Sequence, residues 1–134
     1  KECLALIIIL DQFSRNLFRN NCIAFAMDNK ARLISNEAIN RNYLEEFSTD
    51  EALFVILPLI HSENLSDHNN FYKIFDTFFK NHPKFDEAKK MNTIHTDIIK
   101  KFGRYPYRNK VLGRESTNEE IEYLNTTHHK FFKI

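Results

Sequence analysis

Apolar residues recur along this chain at helical spacing, and polar segments divide them into about six blocks. The first covers roughly residues 2 to 18 and contains the apolar run Leu4 to Leu10, which predicts a buried helix. The second runs from about Ile23 to Arg41, with Phe25/Ala26, Leu33/Ile34 and Ala38 near helical spacing, and forms an αα-hairpin with the first across the bend Arg19-Asn20-Asn21. Ser48-Thr49-Asp50-Glu51 is a capping box, in which the serine oxygen takes an exposed backbone N–H and the glutamate reaches back, so a third helix starts at Thr49. It carries Leu53, Phe54, Ile56, Leu57 and Ile60, apolar nearly all round, which predicts the central helix; Pro58 is expected to kink it or end it early. A fourth helix spans about Leu65 to Asn81 with Phe71, Ile74, Phe75, Phe78 and Phe79 as an aromatic face, and Pro83 stops it. The fifth, about Phe85 to Phe102, shows the stripe Met91, Ile94, His95, Ile98, Ile99 and Phe102. A second capping box, Thr117-Asn118-Glu119-Glu120, opens a last helix through about Phe131. Two glycines and three prolines leave few breakers, so the expected fold is all-α, its helices packed as antiparallel pairs.

Composition narrows the class. The 134 residues are the size of one domain, 1–134, and 43% hydrophobic with 28% charged residues is the mix of a soluble globular protein. A net charge of +1 gives no global attraction to nucleic acid or a membrane surface, so neither is expected as a partner. Leu4 to Leu10 is too short to cross a bilayer, which takes about 20 helical residues, and it lacks the flanks of a secretory signal. Cys3 and Cys22 form no CxxC pattern, which predicts two reduced thiols and a cytoplasmic chain. The chain opens at Lys1 and enters the apolar helix almost at once, as a fragment missing an N-terminal segment would.

Candidate chemistry concentrates in the run Phe102 to Ser116, which holds both glycines, one of the three prolines and three of the seven arginines. Constrained loops on a helical scaffold are where binding groups tend to sit. Lysines outnumber arginines 12 to 7, yet residues 15–19 and 104–114 together hold five arginines and a single lysine, Lys110. Arginine's planar fork grips carboxylate or phosphate at two points, so the inversion points either to an anion site or to arginine–carboxylate clasps, for which Asp11, Asp28, Glu63 and Glu115 are available. Asp11, Arg15 and Arg19 lie at i, i+4 and i+8 with Asn16 beside them; burial of the flanking Phe13, Leu17 and Phe18 would make this stripe a pocket edge. His61 with Glu63, and His95 in the fifth helix's stripe, are the proton-transfer candidates, His95 also fitting a satisfied core histidine. They lack the helical spacing of a preorganised metal site, so no metal or cofactor is expected. Ser62 and Ser116 have no nucleophile elbow around them. His68, His82, His128 and His129 occupy polar or terminal positions and are expected to be solvated.

Several blocks carry a family resemblance: Leu4 to Arg19, Ala24-Phe25-Ala26-Met27-Asp28, His61-Ser62-Glu63-Asn64-Leu65, His95-Thr96-Asp97-Ile98-Ile99, Phe102-Gly103-Arg104-Tyr105-Pro106-Tyr107-Arg108-Asn109, and Leu112 to Glu120. In that order they resemble the bacterial domain of unknown function numbered 924. The resemblance implies an all-helical fold similar to tetratricopeptide-repeat proteins and no established activity. The chain departs from the pattern in having no tryptophan, which family members carry in a further N-terminal segment, and in having Ser14 where a proline is frequent.

Two functions are therefore expected to compete. In one, Asp11, Arg15, Asn16, Arg19, His61, Glu63, His95, Arg104, Arg108, Asn109 and Arg114 converge on a pocket for a small carboxylate or phosphate ligand, with His61 or His95 moving a proton. In the other, stacked helix pairs form an interaction module that takes a peptide or a partner domain, and the polar motifs are internal clasps. Whether those side chains retain spare donors or satisfy one another discriminates the two.

Overall fold

The computed structural model describes residues 1–126, in which six helices and no strand are found. Helix α1 begins as Glu2–Ile7, passes through a π-helical segment Ile8–Phe13 and ends in the turn Ser14–Leu17. The wide turn is closed by the Ser14 N–H on Ile9 O, a bond a proline at this position could not make. The face of α1 that packs inward carries Leu4, Ile7 and, one turn on, Asp11.

The opposite face departs from expectation. Leu6, Ile9, Phe13, Leu17 and Phe18 are exposed, Leu17 to 73%, so the residues predicted to bury a pocket edge lie outward. The reason is geometric: a helix touching the rest of the molecule on one side buries one stripe, and the apolar run of α1 goes round it.

After α1 the chain reverses at Asn20 (φ 60°), and Asn21 caps a short 3-10 turn, Cys22–Phe25. The second predicted helix is therefore two pieces, because the backbone breaks at Ala26–Met27 before α2, Asp28–Asn40. The inward face of α2 is made of the small residues Ala31, Ser35 and Ala38, which let it approach α3, where Ser35 Oγ donates to Val55 O at 2.6 Å. A left-handed Asn42 and the 3-10 turn Tyr43–Glu46 lead to α3, Thr49–His61, whose Ser48/Glu51 capping box is formed as predicted. Pro58 does not end α3, which continues to His61; the lost i−4 hydrogen bond is tolerated because Val55, Ile56, Leu59 and Ile60 are all buried around it.

Asn64 caps α4, Leu65–Phe78, which stops three residues before the predicted end. Helix α5 occupies Phe85–Phe102, the predicted bounds, and Gly103 closes it with φ 70°, its N–H on Ile99 O. The Thr117/Glu120 capping box opens α6, Asn118–Asn125; the predicted extension to Phe131 lies outside the described residues. Helix α3 is central, packed against α1, α2, α4 and α5. Its main core continues into a stack of Phe71, Phe75 and Phe79, with ring centroids 5.3 Å apart, and Phe85 at 5.1 Å from Phe75. A smaller cluster, Ile98, Ile99 and Tyr105, seats the loop after α5, and Tyr105 is tied to α3 by a hydroxyl bond to Ile60 O. No described helix is long and apolar enough to cross a membrane.

Candidate functional site

The inward stripe of α1 delivers a carboxylate where the core meets the end of α3. Asp11 is 1% exposed, and its two oxygens lie 2.8 and 3.0 Å from Nδ1 of His61, the last residue of α3. Gln12 Nε2 donates to Oδ2 at 2.6 Å, and Arg15 Nη1 lies 3.3 Å from Oδ1. Burial alone would raise the pKa of this group, but His61 and Arg15 outweigh it and hold the carboxyl at about 2. Asp11 accepts from Nδ1, and in the tautomer that carries its proton there the lone pair of the ring lies on Nε2.

Around this pair the arginines find carboxylates. Arg15 places its fork on Asp28 at 2.8 and 2.9 Å. Arg108, whose side chain is 5% exposed, donates to Asp28 Oδ2 (3.2 Å) and to His61 O (2.9 Å). Its guanidinium lies 4.5 Å from the Phe25 ring centre and 4.6 Å from that of Tyr105, and its buried Nε finds no acceptor among the described residues.

A second network organises the loop. Arg104 grips Glu120 at 2.7 and 2.8 Å and donates to Glu115 O; Asn109 Nδ2 reaches Ser116 Oγ and Glu120 Oε2. Arg114 takes Asn109 Oδ1 and grips Glu63 at 2.7 and 3.0 Å, while Glu63 also accepts the Tyr105 N–H. Arg104 holds Glu120 at a pKa of about 2 against its desolvation. Burial pushes Glu63 up, but Arg114 and the Tyr105 N–H prevail and leave it below the ordinary carboxylate range.

The histidines divide differently from expectation. His95 donates through Nδ1 to Met91 O, with its ring 6.3 Å from that of His61, and burial depresses its pKa to about 4, so it is neutral at pH 7. His68, expected in solvent, is fully buried between Ser62 O (2.8 Å) and Thr96 Oγ1 (2.9 Å); polar neighbours in sequence concealed a position on the inward face of α4. His82 is half-buried, held by Asp50 and by the Lys84 N–H. His128 and His129 lie outside the described residues.

Beside His61 opens a cleft of about 340 Å³, walled by the 3-10 turn, α2, the end of α3 and the loop. Of the residues singled out from sequence, Asp28, His61, Ser62, Glu63 and Arg108 line it. Asp11 and Arg15 stand behind it through His61 and Asp28, while Arg104, Asn109 and Arg114 belong to the loop network. Asn16 and Arg19 bond each other at 3.2 Å on the exposed end of α1 and do not join the lining. Two polar lining residues had escaped notice, Asn29 and Arg32. Arg32, 29% exposed, sits 3.4 Å from Asp67 Oδ1 and 3.0 Å from Asn29 Oδ1, and its remaining N–H groups have no partner among the described residues. Its sole signal in the sequence was the spacing Asp28…Arg32 on one helical face.

Compared with known families, residues 1–128 match the bacterial protein of unknown function family DUF924. The chain belongs to this family. Among solved structures it is similar to the protein of unknown function ATU0120 from Agrobacterium tumefaciens, 36% identical with a TM-score of 0.79 over 92% of this chain. The match covers 66% of that neighbour, so the chain spans just under two-thirds of its length. No curated protein matches the chain.

Proposed function

We propose that the cleft beside His61 binds a small ligand carrying a carboxylate or phosphate, with Arg32 as the anion contact and His61 Nε2 as the proton acceptor. The observation that carries this reading is the Asp11–His61 pair. A buried carboxylate fixes Nδ1, which leaves the other nitrogen of a cleft-lining ring available, the arrangement a general base needs. It shifts the anion role away from Arg15, Arg104 and Arg114, whose forks grip carboxylates at short range, to Arg32, whose contact with Asp67 is long, at 3.4 and 3.5 Å. Ligands of either anion type, titrated into protein carrying 15N-labelled histidine, should move the His61 Nε2 resonance in the parent and not in Arg32→Met. An unmoved His61 throughout the series removes the reading. The free Cys3 and Cys22 fit a reducing, cytoplasmic setting.

A second reading, an interaction module, is favoured by the outward apolar face of α1, where Leu6, Ile9, Phe13 and Leu17 recur at helical spacing. A single Ile9→Glu substitution would abolish capture of a partner helix there while leaving the His61 resonance unaffected.

A further inference from the structure

We infer that the ligand of the cleft is a monocarboxylic acid with a compact apolar body, and not a phosphate ester or a nucleotide; this rests on the cleft reading above. The charge inventory comes first. Of the two guanidinium groups that line the cleft, that of Arg108 has both terminal nitrogens on Asp28 and His61 O, its faces covered by Phe25 and Tyr105 and its orphaned Nε buried. Arg32 is part-exposed and held only by Asn29 and by Asp67 at 3.4 Å and longer, so Arg32 has the accessible donors. One fork holds one anionic group. A second negative charge would meet Asp28 and Glu63, carboxylates that line the same cleft and that, with the buried Asp11, are matched one for one by Arg15, Arg108 and Arg114. A phosphate monoester carries about −1.5 to −2 at pH 7, which one arginine beside two carboxylates does not balance, whereas a carboxylate carries −1.

Shape gives the rest. Apart from Asn29 and Ser62 the remaining wall is apolar, made chiefly by Phe25, Ala26, Pro58 and Leu112, so the body of the ligand meets hydrocarbon while its anion meets Arg32. A volume of about 340 Å³ is at the small end of ligand sites, the size for a compact ligand.

Calorimetric titration of acetate, butyrate, isovalerate and phenylacetate, with phenyl phosphate, citrate and ADP alongside, tests this. Affinity should climb about fourfold for each carbon buried, the equivalent of about 0.8 kcal/mol per methylene, and phenylacetate should bind at least tenfold tighter than phenyl phosphate. Leu112→Trp, which fills the apolar end, should erase the climb while acetate binding persists. Arg32→Met should remove binding of the whole series, and Arg32→Lys, which keeps the charge and guards against a folding defect, should weaken it several-fold. If phenyl phosphate or ADP binds more tightly than phenylacetate and depends on Arg32, the acid class is wrong and the cleft reading stands. If nothing binds, or binding ignores Arg32, the cleft reading falls and the acid class with it.

Discussion

Two polar regions meet at the end of α3 and use the same residue types to different effect. In the loop from Gly103 to Thr117, Arg104 and Arg114 each hold a carboxylate at two points, and Asn109 bridges them through Glu120 and Arg114 itself. In the cleft, Arg32 touches Asp67 only at 3.4 Å and longer, and His61 is gripped through one nitrogen. The difference teaches that arginine enrichment marks a place where the backbone needs fastening as readily as a place where a ligand is held. The two are separated by the donors left over once internal partners are counted.

The largest expected effect lies where a guanidinium is most buried. Arg108→Ala should cost about 3–5 kcal/mol in urea unfolding, because it removes one of the two arginines on Asp28, the donor to His61 O and the slab between Phe25 and Tyr105 in one step. A loss below 1 kcal/mol would mean that Arg15 satisfies Asp28 alone, and the comparison would lose its structural half.

Next is acidification. His95 has a folded pKa of about 4, and burial lowers that of His68 also, both below the unfolded value of about 6.5. Below pH 6.5 the unfolded chain therefore binds protons that the native state refuses. Stability should fall as pH drops from about 6.5 towards 4, by on the order of 2 kcal/mol from His95, before the carboxylates titrate. Asp11 and Glu120, each held at about 2, act lower: their contributions are complete above the unfolded values of 3.8 and 4.5 and disappear as pH falls towards 2. His95→Gln should flatten the upper limb, which chemical denaturation at several pH values would register.

A smaller effect is expected at the entrance to α6. Thr117→Ala removes the side chain that accepts the Glu120 N–H, and with it about 1 kcal/mol. The loss should be larger than that of an equivalent cap on an exposed helix, since Glu120 also anchors Arg104 and Asn109. A double-mutant cycle of Thr117→Ala with Arg104→Ala measures the excess.

The sequence made the local features legible and left the convergent ones obscure. Both capping boxes, the Gly103 stop and the bounds of α5 depend on residues within a few positions of one another, and each formed as expected. Pro58 does not end α3 early because what holds the helix together past it is packing from four other helices, which no local pattern records. The same holds for His68, buried by α4 lying on α3 and α5, and for Phe13 and Leu17, apolar residues that have no neighbour to cover them among the described residues. At the site, the arginines, Asp11 and His61 were each conspicuous, but the Asp11–His61 pair joins residues 50 positions apart. Arg32 looked like an ordinary helical arginine until the turn at Cys22–Phe25 placed a cleft beside it.

The smallest expected effect is the most informative for the cleft. Arg32→Ala should change stability by less than about 1 kcal/mol, since its contact with Asp67 is long and part-exposed and Asp67 keeps the Ser62 hydroxyl at 2.6 Å. A residue that contributes little to the fold, yet lines a concavity also lined by a carboxylate-oriented histidine, is the one the proposed binding role singles out. Urea unfolding of the Arg32 and Arg108 variants side by side sharpens the contrast. Should Arg32→Ala destabilise as much as Arg108→Ala, Arg32 is one more clasp, and the division between fastening and binding arginines at the end of α3 disappears.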